Sequence, residues 1–306
     1  MKKTVIFIFI CALLLSSCSF TPADDGGKLK VACLDFPSYD FARGVCGDVA
    51  DVKLIVPSDA DVHSHTLTLS ETAALQSCDL LIYGGGENDE TVEKAVSASP
   101  KSITVLRLID CVELLDEDEE SEEEEHEHEH EYDLHVWTSP LNAIEICNHI
   151  NELVNELDGA NAVEYNKNTA EYQDGLRELD AAFVSLFESV EHKTLIVGDV
   201  FPFLYFCERY GLTHTAAFSG CADGDVAPSL HKLAEIKESL DETGLSTVFY
   251  TEFSSKLTAS CIAAETGCTV TLLTSCHRVE RDRFASGVTY INLMYQNLQT
   301  LKGALS

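Results

Sequence analysis

The chain has 306 residues, 45% of them apolar and 8% aromatic, which is material for two ordinary domains or one large one with packed cores. Lys and Arg total 20 against 52 Asp and Glu, a formal net charge of −32. Such a surface repels phosphate backbones, so nucleic acid is excluded as a partner, and cationic ligands suit it.

At the N-terminus, Lys2 and Lys3 precede a twelve-residue apolar stretch, 4–15, and then Ser16, Ser17 and Cys18. This is the layout of a secretory signal over residues 1–17, too short to span a bilayer. The stretch Leu15-Ser16-Ser17-Cys18 resembles the lipobox of bacterial lipoproteins, whose Cys is acylated; an ordinary signal peptide is the other reading. The resemblance implies lipidation at Cys18, a polar tether over 18–28, and a chain held by lipid on the outer face of the cell membrane. Ten cysteines follow Cys18. Export permits disulfides, but no CxxC of metal-finger spacing occurs, so these residues read as buried small side chains or bridge partners.

Short apolar runs at 30–35, 52–56, 79–83 and 103–108 read as strands, and 69–77 and 90–98 as helices between them. Gly84-Gly85-Gly86 follows one strand; without a lysine it is a turn and not a phosphate cradle. From 116 to 133 there are thirteen acidic residues with His126, His128 and His130 interleaved. A segment with so little to bury must be a solvated loop. Helical rhythm resumes over 142–157 and again over 160–190, where Tyr165, Tyr172, Leu176, Leu179, Phe183, Leu186 and Val190 recur mostly at three- and four-residue steps. That second helix would reach about 45 Å, the length of a domain. Strands then alternate with helices again: 194–197, 215–218, 248–250 and 269–273, with helices at 203–210, 229–243, 255–266 and 290–305. The expected fold is α/β: two lobes, each a parallel sheet flanked by helices, joined by one long interlobe helix. The lobes are expected at 29–138 and 191–306, with a helical segment over 139–190 between them.

Five segments, spread over both lobes and mostly just past strands, carry possible metal ligands. That edge is where open α/β folds hold ligands. One is Asp61-Val62-His63-Ser64-His65, whose two imidazoles point to opposite sides if the segment is extended. The others are Asp133-Leu134-His135-Val136-Trp137, Gly198-Asp199, Glu252, and Ser275-Cys276-His277. Neutral imidazole is a common zinc ligand, and thiolate and carboxylate complete such sites. No HExxH, GxSxG, P-loop or GxGxxG occurs, so no enzyme is expected.

Taken together, these motifs resemble the substrate-binding lipoproteins of bacterial zinc and manganese ABC transporters, the cluster with a rigid interlobe helix. DVHSH resembles the family's first metal-His segment, with His65 in place of its aromatic; DLHVWTSP resembles "DPHVWLSP". YFCERYGL and GVTYINLMYQNLQTLKGAL resemble later family helices, so the likeness covers nearly the whole chain after the tether. It implies metal ligands at His63 and His135, and the acidic His loop marks the zinc branch. The stretch Gly198-Asp199-Val200-Phe201-Pro202 lacks the family's third His, and Thr274 to His277 lacks its late carboxylate. His277 is therefore expected to complete the site, with Cys276, Asp199, Glu252 and His65 as further candidates. An imidazole-rich set favours Zn2+ over Mn2+, which suits oxygen-rich octahedra. The expected function is extracytoplasmic zinc capture and delivery, as a monomer, to an ABC permease and its ATPase. The loop histidines, His126, His128 and His130, would scavenge cations. A manganese carrier or a surface adhesin-like lipoprotein are the alternatives.

Overall fold

The computed structural model describes residues 27–62, 64–86, 89–117, 132–219 and 228–305. His63, the three loop histidines, Cys18, Cys221, the signal segment and most of the tether lie outside them.

In chain order the first half holds β1 (Lys30–Cys33), α1 (Phe36–Cys46), β2 (Asp51–Leu54), α2 (Leu69–Gln76), β3 (Leu80–Tyr83), α3 (Asp89–Ser97) and β4 (Thr104–Arg107). Two helices follow, α4 (Pro140–Leu157) and α5 (Ala162–Ser189). The second half holds β5 (Thr194–Val197), α6 (Leu204–Tyr210), β6 (Thr213–Ala216), α7 (Leu230–Thr243), β7 (Thr247–Tyr250), α8 (Leu257–Thr266), β8 (Thr269–Leu272), α9 (Arg281–Ala285) and α10 (Tyr290–Ala304).

The strands form two parallel sheets of matching order, β2-β1-β3-β4 and β6-β5-β7-β8. Strand β3 is buried along its whole length, as a parallel strand covered on both faces must be; its sequence LLIY is accordingly an unbroken apolar run. In both sheets the order reverses beside the first strand of the half, at β1 and β5. That crevice is the ligand position of an open α/β sheet. Each crevice is closed by a carboxylate. Asp35, just after β1, accepts the Gly84 N–H past β3 at 2.8 Å, and Asp199, just after β5, accepts the Thr251 N–H past β7 at 2.9 Å.

Helix α5 has 28 residues without proline and packs against α1, α4, α6 and α10, so it touches elements from both halves. Its buried stripe includes Tyr165, Leu176, Leu179, Phe183 and Leu186. Asp180 on α5 receives a two-pronged ion pair from Arg209 (2.9 and 2.6 Å) and the Tyr210 hydroxyl at 3.0 Å, which fixes α6 to the long helix. Asp40 on α1 pairs with Arg43 and accepts the Tyr172 hydroxyl at 2.7 Å and the Tyr290 N–H at 2.8 Å, joining α1, α5 and α10. Burial pushes the Asp40 carboxyl up, against the opposing pull of Arg43.

The structure departs from the sequence reading in a few places. Helix α1, capped by the Asp35 side chain on the Ser38 N–H, lies where no helix is expected, and so does α9. Strand β6 begins at Thr213, two residues early, because it pairs in register with β5 from Thr194 to Val197. The described cysteines are free thiols, most of them buried. Among the described residues no helix is long and apolar enough to cross a membrane.

Candidate metal centre

Two candidate imidazoles, His135 and His277, come together. His135 ends the segment before a short 3-10 turn, Val136–Thr138, and His277 sits in the loop after β8. Both are buried, and their ring centres are 5.9 Å apart at 88°. Trp137 packs against both, 5.3 Å from His135 and 5.2 Å from His277. Its indole N–H donates to the Ser275 carbonyl at 2.9 Å, and its own carbonyl accepts the Tyr290 hydroxyl at 2.7 Å. The one tryptophan therefore ties the two imidazole-bearing loops to each other and to α10.

Asp133, almost completely buried, orients His135. One carboxylate oxygen lies 2.8 Å from His135 Nδ1 and accepts the His135 backbone N–H at 2.6 Å. With Nδ1 donating to that carboxylate, Nε2 carries the lone pair, the arrangement in which metal-binding histidines are held. The Asp133 carbonyl accepts the Tyr205 hydroxyl at 2.8 Å, so α6 also supports this turn.

His65 approaches the His277 side from the loop before α2. With Val62, Leu67, Trp137 and His277 it lines a cavity of about 50 Å³. Its Nε2 lies 3.0 Å from a Glu71 carboxylate oxygen, and Glu71 also closes a capping box with Thr68 at the start of α2. The flanking loop is held to the opposite half. Val279 N–H donates to the Ser58 carbonyl at 2.7 Å, Arg281 pairs with Asp59 at 2.8 Å, and Arg278 stands 3.7 Å from Asp61.

The remaining candidates are engaged elsewhere. Asp199 accepts the Thr251 N–H and hydroxyl, both at 2.9 Å, on one oxygen. The Glu252 carboxylate is surrounded by donors from the Ser275–Arg278 turn. Cys276 packs in the core cluster that includes Phe41 and Tyr290. Burial, then the charges of Glu252 and Asp40, push its thiol well above the ordinary range, and zinc binds thiolate, not thiol. Among the described residues no three His, Cys, Asp or Glu side chains gather into a metal cage; His63 is not one of them. The sequence reading did not single out Asp133 or Tyr290. An acid two residues before a ligand-type His was a usable signal for the first, whereas nothing local marks the second.

A family model for the periplasmic component A of the zinc-uptake complex matches residues 31–304. The high-affinity zinc uptake system protein ZnuA of Bacillus subtilis (strain 168) is 31% identical over 312 residues, covering 97% of this chain and 96% of that protein. The zinc-binding lipoprotein AdcA of Streptococcus pneumoniae R6 is 28% identical over 308 residues, covering 99% of this chain; the chain spans only 61% of that relative's length. Among solved structures, the Zn(II)-bound ZnuA-like domain of Streptococcus pneumoniae AdcA superposes with a TM-score of 0.74 at 27% identity, over 91% of this chain and 99% of that one. With matching sheets, a shared long helix and a family match that runs over nearly every described residue, this chain belongs to the ZnuA family, the periplasmic zinc-binding component of zinc-uptake complexes.

Proposed function

We propose that the chain captures zinc outside the cytoplasmic membrane and delivers it to an ABC permease, powered by its ATPase, for import. The observation that carries this reading is the pairing of His135 and His277 across the two halves, ring centres 5.9 Å apart beneath Trp137. Two imidazoles each ~2.1 Å from one ion place their ring centres about 5–6 Å apart, so the two rings already stand at bridging distance. His63, which lies outside the described residues, supplies the third imidazole on the strength of its DVHSH segment. His65, Cys276, Asp199 and Glu252 are subordinate as ligands, because each is already held by protein partners or kept as thiol. An imidazole site with its carboxylates so committed favours zinc over manganese.

The protein works as a monomer, anchored through lipid on Cys18, and performs no catalysis. The acidic loop, with His126, His128 and His130, concentrates cations before capture. The test is zinc titration of the purified chain against a competing chelator, with His63→Ala, His135→Ala and His277→Ala. Each should abolish tight capture. Undiminished affinity in the His63→Ala/His135→Ala double variant overturns the reading. Mass mapping of the N-terminal residue tests the anchor; an unmodified Cys18 overturns that part alone.

A further inference from the structure

Glu252 lies just past β7 and its carboxylate faces the turn that follows β8. One oxygen accepts the Ser275 N–H at 2.8 Å. The other accepts the Ser275 hydroxyl at 2.6 Å, the His277 N–H at 3.0 Å and the Arg278 N–H at 3.4 Å. Three consecutive-turn backbone N–H groups thus point at one carboxylate, a nest of the kind that fixes anions. Backbone strain sits on both sides of it. Cys276, between Ser275 and His277, has φ of 62°, and Phe253, next to Glu252, has φ of 61°. Non-glycine residues in this region are strained and persist only where the surroundings hold them. The same turn carries the Ser275 carbonyl to which Trp137 donates, so its shape is transmitted to the ring that packs on both imidazoles.

We infer that Glu252 is a positioning residue for zinc capture: it shapes the strained Ser275–Arg278 turn and thereby aims His277, and it does not itself bind the ion. This rests on His277 being a ligand. A carboxylate saturated by four donors has few lone pairs left for a metal, and its chain position, 25 residues from His277, gives the turn an anchor on the neighbouring strand.

The experiment is a double-mutant cycle on zinc affinity, with Glu252→Gln, His277→Ala and the pair, alongside cobalt(II) absorption spectra and melting of the metal-free forms. Glutamine keeps one acceptor oxygen but turns an NH2 group toward donors. Glu252→Gln should weaken zinc roughly 10–100-fold, as outer-layer substitutions at metal sites do. It should add nothing in the His277→Ala background. Cobalt-loaded Glu252→Gln should keep the coordination number of the parent with shifted bands. Ser275→Ala, which removes one donor and leaves the carboxylate, should give a smaller loss of the same kind and serves if Glu252→Gln does not fold. Losses that add in the double variant, or no loss in Glu252→Gln, overturn the inference while the ligand assignment stands. A His277→Ala variant with full affinity overturns the ligand assignment and this inference with it.

Discussion

Tyr290 donates its hydroxyl proton to the carbonyl of Trp137 across 153 residues of chain, and its backbone N–H to Asp40 on α1. The first residue of the closing helix thereby supports the turn that bears His135. Replacing Tyr290 with Phe leaves a buried carbonyl without its partner, which costs about 1–3 kcal/mol. Chemical denaturation of the metal-free protein should show that loss, and zinc titration a weaker site, because the Val136–Thr138 turn is less firmly held.

Asp133→Asn should reduce zinc affinity roughly 10–100-fold. The amide is a weaker acceptor for the His135 Nδ1 proton and no longer balances positive charge passed through the imidazole. Chelator competition measures it; affinity equal to the parent would show that His135 needs no orienting partner.

The start of α2 should be acid-sensitive. Although its partial burial pulls the other way, the Thr68 N–H and His65 hold the Glu71 carboxyl below its ordinary 4.5. A depressed folded-state value means the contribution is present above the unfolded value and is lost as pH falls through the folded one. Metal-free stability measured from neutral to acid should therefore decline less steeply in Glu71→Gln than in the parent, with Glu71→Gln less stable at neutral pH by about 0.3–1 kcal/mol through the negative charge lost from the first helical turn.

Thiol chemistry should divide the cysteines. Burial pushes Cys46 and Cys111 up to about 12 and Cys78 up to about 11, while Cys261 is exposed. Iodoacetamide labelling of the native protein, read by mass spectrometry, should modify Cys261 fast, Cys268 slowly, and the other described thiols only after unfolding. Rapid labelling of Cys147 or Cys276 in native protein would contradict the packing described.

Gly198 follows β5 directly and packs against Ala259 of α8. A Cβ there would stand 2.7 Å from the Ala259 Cα and 2.9 Å from Val248 Cγ1. Gly198→Ala should cost about 1–3 kcal/mol by overpacking, seen as a lower melting temperature.

Much of the architecture is written locally. The α5 stripe repeats at helical spacing and Tyr165, Leu176, Leu179 and Phe183 are all buried; the strands are short apolar runs between turn residues. Helix α1 escaped because eight of its eleven residues are buried, Phe36, Phe41 and Val45 among them, so no polar face reveals a helical period. In the candidate site, the sequence offered ligand types at strand ends, and His135 and His277 do meet. What it did not offer is which acids are already spent. Asp199 bonds Thr251, 52 residues on, and Glu252 bonds Ser275, 23 residues on, and pairings at such separations come from sheet order and not from local pattern.

Helix α5 gives the molecule a stiff strut shared by both halves. The two halves cannot then part by a wide hinge swing, because an unbroken helix bends little. On the zinc-capture reading proposed above, a partner would have to tell laden from empty forms by local loop rearrangement and not by whole-body opening.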